Sequence, residues 1–323
     1  MAEKILYLSR ADIEGLGLAM SDIILALEKM FREKGKGRVE MPPKPGIHPR
    51  LDSFIHAMPA YIPALNAAGM KWVSGYPENL RRKLPYISGL IILNDPETGL
   101  PRAVMDCTWI TAKRTGAATA VAAKYLARPD SEVAGILGCG VQGRSNLEAL
   151  RVLFPIRQVL AYDINPEAQA RYVSEMKEKF GLEVIPAREP RQAVAGCDIV
   201  VTAGPILKIP HATIKSGWLE KGAFASLVDF DSYWDRAALR EIDKFCTDDI
   251  PQLEYYQSLG YFRDIPRIYA DLGELVTGRK AGRERPEERI IACNLGLALD
   301  DMATAPLVYE LALNKGVGTW LLL

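Results

Sequence analysis

Glu132-Val133-Ala134-Gly135-Ile136-Leu137-Gly138-Cys139-Gly140-Val141-Gln142-Gly143 is the stretch whose reading decides the fold. A short aliphatic run ends in three glycines spaced G-x-G-x-x-G, and the next residues, VQGRSNLEALRVLF, carry apolar side chains at intervals of three and four. The first period belongs to a buried strand, the second to a helix lying on a sheet. A glycine turn between the two has a mechanical reading. The first glycine allows the tight turn, the second lets backbone approach a diphosphate, and the third lets helix and strand pack closely.

Working outward, QVLAYD supplies a second strand ending at Asp163, about 20 residues beyond the third glycine, where a carboxylate accepts ribose hydroxyls. The same carboxylate repels a 2′-phosphate, so NAD (NADH) is expected over NADP. Arg144, beside the loop, is a basic residue with the reach to hold such a phosphate, and a plain glycine turn with a strand-end aspartate is the bland alternative. The pattern continues through NPEAQARYVSEMKEKFG, LEVIP, CDIVVTA and AFASLVD, alternating helix and strand as a parallel sheet with crossover helices requires. Pro166 inside the start and Gly181 past the end punctuate the second helix.

The first third reads differently. A helix is expected from Ser21 to Lys34 with Ser21 as N-cap, followed by strands in SFIHAMPAYI, AAGMKWVSGY, GLIILND and PRAVMD. The turn NDPETGLP between the last two predicts an antiparallel pair. A helix from Ile110 to Ala127 leads into the glycine-loop region. At the other end, IIACNLGLALDDMATAPLVYELALNKG reads as a strand and then a helix that returns to the first region. GRKAGRERPEER reads as an exposed loop.

The 323 residues suit two domains, and the forty basic and forty acidic residues balance with no like-charge block, which speaks against nucleic-acid and membrane partners. Five scattered cysteines, Cys107, Cys139, Cys197, Cys246 and Cys293, form no C-x-x-C pair and read as buried free thiols. MAEKILYLSRADIEGL lacks the pattern of a secretory leader, and no apolar run reaches the length of a membrane span, so a cytoplasmic location is expected. His48, His56 and His211 have no metal-ligand spacing, and no metal is expected. No G-x-S-x-G elbow occurs either, leaving hydride transfer as the economical chemistry.

Such chemistry needs cations for a substrate carboxylate and a titratable group beside the reacting carbon. Strand alternation in GMKWVSG puts Lys71 on the same face as Val73, opposite Met70 and Trp72. Arg114 lies early in an alanine-rich helix, where burial would demand an anionic partner. For each, a solvated charge on an outer face is the other reading.

His56-Ala57-Met58-Pro59-Ala60-Tyr61, Gly69-Met70-Lys71-Trp72-Val73, Thr111-Ala112-Lys113-Arg114-Thr115, the Gly138 loop and Leu299-Asp300-Asp301-Met302, in this order, resemble the ornithine cyclodeaminase/mu-crystallin family. The resemblance implies an α/β fold: a Rossmann doubly wound parallel sheet over 116–300, plus an α+β substrate-binding and dimerisation domain from 1–115 with 301–323. It also implies a homodimer and an enzyme that oxidises an L-amino acid at its α-carbon or reduces the matching imine. Lys71 and Arg114 are implied at the substrate carboxylate and reacting centre, joined by a further cation before the Met-Pro motif, Lys44 in MPPKPG. Gly138, Gly140, Val141, Gln142, Gly143, Asp163 and Thr115 are implied at the dinucleotide. The family's acid/base aspartate maps to Asp229 in LVDFDSYW, with Asp231 as competitor and turn capping as the other role for Asp229.

One departure bears on substrate. Ornithine-specific members carry a glutamate two residues before Met-Pro, where this chain has His56, and an imidazole offers a distal ammonium no attraction. With Lys44, His48 and Arg50 close in sequence, a small L-amino acid that is apolar or carries a second carboxylate is expected; a merely packed His56 is the other reading. Ornithine cyclodeaminase activity and a non-catalytic, crystallin-like dinucleotide-binding role are the two alternatives.

Overall fold

The computed structural model describes residues 4–50 and 52–323. It falls into two compact units, one running to Arg114 and resuming at Leu297–Leu323, the other Thr115–Gly296. In chain order, the first unit opens with β1 (Lys4–Leu8) and α1 (Arg10–Gly15). Ser9 caps α1 reciprocally with Asp12, each side chain taking the other's backbone N–H. α2 (Met20–Gly35) starts one residue before the expected Ser21, and its N-cap is Ala19, which makes no side-chain cap bond. The early start buries Met20 at 7% exposure, and Asp22 in the first turn complements the helix dipole.

Five strands follow: β2 (Gly46–Ile47), β3 (Phe54–Ile62), β4 (Ala67–Gly75), β5 (Ile87–Asn94) and β6 (Pro101–Asp106). β5 and β6 pair antiparallel as their turn foretold. Asp95 Oδ1 accepts the amides of Glu97 and Thr98 at 2.8 and 3.2 Å, and Gly99 supplies the left-handed residue at φ +75°. α3 (Thr108–Leu126) then leads out of this unit.

The second unit runs β7 (Val133–Leu137), α4 (Val141–Leu153), β8 (Gln158–Tyr162), α5 (Pro166–Phe180), β9 (Glu183–Pro186), β10 (Ile199–Thr202), β11 (Phe224–Leu227), α6 (Arg236–Leu239), β12 (Lys244–Thr247), α7 (Ile250–Ser258), β13 (Ile268–Asp271), α8 (Leu272–Val276) and β14 (Ile290–Cys293). Its eight strands are ordered β13-β12-β14-β11-β10-β7-β8-β9, with every pair parallel. The strand order reverses between β7 and β10, the switch point where doubly wound sheets bind ligands. The core beside this sheet includes Val200, Ala225, Leu227, Trp234 and Phe245.

The segment 278–289, expected as an exposed loop, is irregular but not fully solvated. Glu288 is 3% exposed and takes Lys244 Nζ at 3.2 Å, while Arg283 donates to the Leu126 and Glu288 carbonyls at 2.9 and 2.6 Å. Arg283 thus ties the carbonyl at the end of α3 to a carbonyl within the segment itself.

The chain finally re-enters the first unit with α9 (Ala298–Lys315) and β15 (Thr319–Leu322). β15 pairs antiparallel with β1 and completes the order β15-β1-β6-β5-β4-β3-β2. α9 packs on β3, β4, β5 and α2. Gly69 permits this closeness, since a Cβ there would lie 2.2 Å from the Ile92 carbonyl and 3.0 Å from Met302 Sδ. The opposite face of the sheet leaves Trp72 at 45% and Leu90 at 43% exposure.

Candidate active site

Two sites take shape, one in each unit. In the first, strand alternation drives Lys71 inward with Val73, leaving Lys71 at 1% exposure beside Met58 of β3 and Ile91 of β5. Isolated there, an ammonium would be heavily penalised. Its counter-charge is Asp301 of α9, whose Oδ2 stands 2.7 Å from Lys71 Nζ. Arg114 enters from α3, with Nε 3.3 Å from Asp301 Oδ1 and Nη1 3.3 Å from Asp300 Oδ2. Asp300 also accepts the Leu297 amide at 2.9 Å, closing the first turn of α9. Two cations and two carboxylates thus form one buried cluster. Burial and the Arg114 charge push the Lys71 ammonium below its ordinary range, and Asp301 pushes it back.

Lys44 is 8% exposed, although the residues around it in Met41–Gly46 are mostly exposed, and its charge is felt at His56. His56 stacks on Phe54 with ring centroids 4.3 Å apart and covers Gly46, where a Cβ would lie 2.2 Å from the imidazole. Burial, then the charges of Lys44, His48 and Lys71, pull His56 down to about 3, so it stays neutral. Of the residues singled out from sequence, Lys71, Arg114, Lys44 and His56 are therefore all found in this unit, three of them buried and the fourth packed in β3.

In the second unit, the glycine loop sits at the C-terminal end of β7. Gly138 has φ +101°, and a Cβ there would approach the Ala203 carbonyl to 2.5 Å; one on Gly143 would approach the Gly138 carbonyl to 2.3 Å. A Cβ on Gly140 meets no atom within 4 Å. The first and third glycines are thus demanded by packing, while the second fronts open space. Gly140 caps α4 without a side-chain bond, so the amides of the first turn, beginning at Val141, meet no capping side chain at a positive helix end. This cradle fits a dinucleotide diphosphate. Asp163 lies at the end of β8 and accepts the Cys139 amide at 2.7 Å and the Asn165 amide at 2.8 Å. The next side chain, Ile164, is apolar and 89% exposed. Arg144 is engaged elsewhere: its Nε meets Glu175 at 2.6 Å and its guanidinium donates to the Cys139 and Gly140 carbonyls. Thr115, next to Arg114 in sequence, is 6% exposed on α3.

Asp229 follows β11 and is 1% exposed, its carboxylate accepting Thr202 Oγ1 at 2.6 Å and the Gly204 amide at 2.8 Å. Burial raises it to about 7 against those stabilising bonds. Asp231 is raised to about 6, by burial first and Asp264 last. Between them Phe230 adopts φ +64°, a conformation that bulky residues seldom hold, packed against Tyr256, Tyr261 and Phe262. The turn between Asp229 and Asp231, which contains no glycine, is therefore held by aromatic packing. Among the described residues no His, Cys, Asp or Glu group is arranged to hold a metal ion, and no helix is long and apolar enough to cross a membrane. All five cysteines are free and buried.

Residues 3–316 match the profile of the ornithine cyclodeaminase/mu-crystallin family. The chain belongs to this family. An alanine dehydrogenase of Archaeoglobus fulgidus is 37% identical to this family member over 322 residues, 97% of each chain. The Delta(1)-pyrroline-2-carboxylate reductase of Thermococcus litoralis, solved in complex with NADH and L-proline, is 38% identical with a TM-score of 0.89, over 98% of this chain and 99% of that one. An archaeal alanine dehydrogenase dimer with bound NAD is 36% identical with a TM-score of 0.88, over 99% of both chains.

Asp300 and Asp301 carry no role in the sequence pattern beyond their place in Leu299-Asp300-Asp301-Met302. The available signal was two adjacent acids in the otherwise apolar run LALDDMATA, a placement that buried carboxylates tolerate only with partners.

Proposed function

We propose that this member of the ornithine cyclodeaminase/mu-crystallin family is an NAD(H)-dependent oxidoreductase that interconverts a small L-amino acid and its imino acid. The observation carrying this reading is the buried Lys71–Arg114–Asp301–Asp300 cluster. Stability alone rarely favours two cations in a core, since apolar residues of similar volume serve a fold at least as well. The relatives named above, which act on alanine or on a cyclic imine, agree with it.

In this reading Gly138, Gly140, Val141, Gln142, Gly143 and Thr115 hold the dinucleotide, and Asp163 takes the adenine ribose. A nicotinamide dinucleotide bound there supplies the hydride donor or acceptor. Lys71, Arg114 and Lys44 orient and neutralise the substrate carboxylate. Reduction of an imine consumes one hydride and one proton, and the proton falls to a group of the chain. Asp229, raised to about 7, can give it up or take it back at neutral pH, with Asp231 as the competing carboxyl.

The neutral, stacked His56 offers no counter-charge to a distal ammonium, so the substrate is short and apolar, cyclic, or bears a second carboxylate beside Lys44. The uncovered sheet face with Trp72 and Leu90 suits a second copy of the chain, which light scattering tests; a monomer at micromolar concentration contradicts it. Free thiols and the absence of a spanning helix among the described residues support a cytoplasmic setting. Nicotinamide absorbance followed over a panel of imines, 2-oxo acids with ammonia, and amino acids tests the whole reading. Proline and ammonia from ornithine without net cofactor change would instead indicate cyclodeamination, and tight NAD binding without turnover a binding protein.

A further inference from the structure

Lys71 is buried among neutral and charged neighbours of opposing effect. Met58 and Ile91 flank it in the sheet, and Thr111 Oγ1 lies 3.5 Å from its Nζ. Cys107 stands just ahead of α3, His56 stands on β3 and feels the charges of both Lys44 and Lys71, Arg114 comes from α3, and Asp301 comes from α9. At neutral pH most of these give Lys71 no counter-charge. Burial takes the His56 imidazole down to about 3 and the Cys107 thiol up to about 11, so both are neutral, while Arg114 repels the ammonium. What remains is Asp301 at 2.7 Å, itself wholly shielded from solvent.

The neighbouring acid has a separate task. Asp300 Oδ2 receives Arg114 Nη1 at 3.3 Å and the Leu297 amide at 2.9 Å, so its position is tied to the first turn of α9. Consecutive helical residues point about 100° apart, which lets two adjacent acids address two different cations. We propose that Asp301 is a positioning residue for the reaction, holding the Lys71 side chain in place and in its charged form, while Asp300 aligns Arg114. This rests on the reading that Lys71 meets the substrate. Without Asp301, Lys71 would share a dry interior with Arg114 and no compensating carboxylate at contact distance, and it would shed its proton, losing its grip on a carboxylate.

The test reads Lys71 directly. Lysine enriched in ¹³C at Cε is incorporated into the full chain, the Lys71 signal is assigned by its loss in Lys71→Met, and its titration is followed by NMR. Asp301→Asn is expected to move that titration to lower pH by at least about one unit, roughly tenfold in proton affinity; Asp301→Glu restores most of it and Asp300→Asn leaves it near the wild-type position. In step with this, the alkaline limb of kcat/KM for amino-acid oxidation, the direction in which loss of the Asp229 proton does not set that limb, moves to lower pH in Asp301→Asn. An unchanged Lys71 titration in folded Asp301→Asn overturns the proposal, and so does a drop in kcat/KM that is uniform across pH. Should Asp301→Asn fail to fold, the Asp301→Glu and Asp300→Asn titrations decide it: a Lys71 that responds to Asp300→Asn and not to Asp301→Glu contradicts the assignment. A wild-type chain with the expected Lys71 titrations but no turnover of any amino acid or imine overturns the functional reading instead, because the titration needs no catalysis.

Discussion

The Asp163 carboxylate accepts the Cys139 amide at 2.7 Å, so the residue assigned to the ribose also shapes the glycine turn that precedes it. A pre-set turn binds a diphosphate without first being ordered, and this makes the three glycines separable by experiment. Gly140→Ala is expected to fold with wild-type stability, because its methyl meets no atom within 4 Å, yet to weaken NAD⁺ binding at least about tenfold by filling the approach to the loop. Gly143→Ala forces a contact of 2.3 Å with the Gly138 carbonyl and should lower the unfolding midpoint itself. Thermal melts and fluorescence titration with NAD⁺ check both. A Gly140→Ala variant that binds normally would remove the diphosphate from this turn.

Arg144 bears on cofactor choice. Its guanidinium is committed to Glu175 and to the loop carbonyls, and it lies over the Tyr172 ring at 5.4 Å. In that role Arg144→Gln and Glu175→Gln both loosen the loop and weaken NAD⁺ modestly, by roughly three- to tenfold, since the pair is partly solvated. An arginine held in reserve for a 2′-phosphate predicts the opposite sign, with Glu175→Gln raising NADP⁺ affinity. Calorimetric titration with both nucleotides separates the two.

The acid/base assignment carries a pH signature. With Asp229 raised to about 7, kcat/KM for imine reduction should fall as pH rises through 7, where the proton donor is lost, and amino-acid oxidation should rise through the same range. Asp229→Asn should abolish that limb and lower the rate by about 10²–10⁴; if Asp231→Asn does so instead, the roles are exchanged. Stability follows the same group. The folded chain keeps this proton up to about 7 whereas an unfolded aspartate releases it near 3.8, so its contribution is complete below 3.8 and disappears as pH climbs through 7.

Much of this architecture was legible in advance, for physical reasons that differ by element. The glycine turn shows in sequence because backbone sterics admit few alternatives at Gly138 and Gly143. Lys71 could be placed by strand alternation once Val73 was taken as buried. The partners of Lys71 and Arg114 were opaque: Arg114 and Asp300 are 186 residues apart, and no local period relates them. β12 and β13 escaped notice because each spans four residues and mixes polar with apolar side chains, so that burial comes from the neighbouring strands and not from a pattern. Ser21 failed as an N-cap because burying Met20 outweighed a hydroxyl cap at the start of α2.

The buried cluster makes a stability prediction that is independent of catalysis. Lys71→Met leaves Asp301 buried beside Arg114 alone and should cost about 3–5 kcal/mol, while Lys71→Met with Asp301→Leu should recover a large part of it. Urea denaturation of the single and double variants measures the difference. Equal losses in the two would mean that Lys71 and Asp301 do not act as a pair.

The most direct measurement is NADH oxidation by the purified chain presented with Delta(1)-pyrroline-2-carboxylate, pyruvate plus ammonia, and oxaloacetate plus ammonia, alongside Lys71→Ala. The account predicts substrate-dependent oxidation with at least one of these, NADH preferred to NADPH, and a loss of several orders of magnitude in Lys71→Ala with NADH affinity nearly intact. Oxidation undiminished in Lys71→Ala, or none with any imine while ornithine is converted to proline, would contradict it.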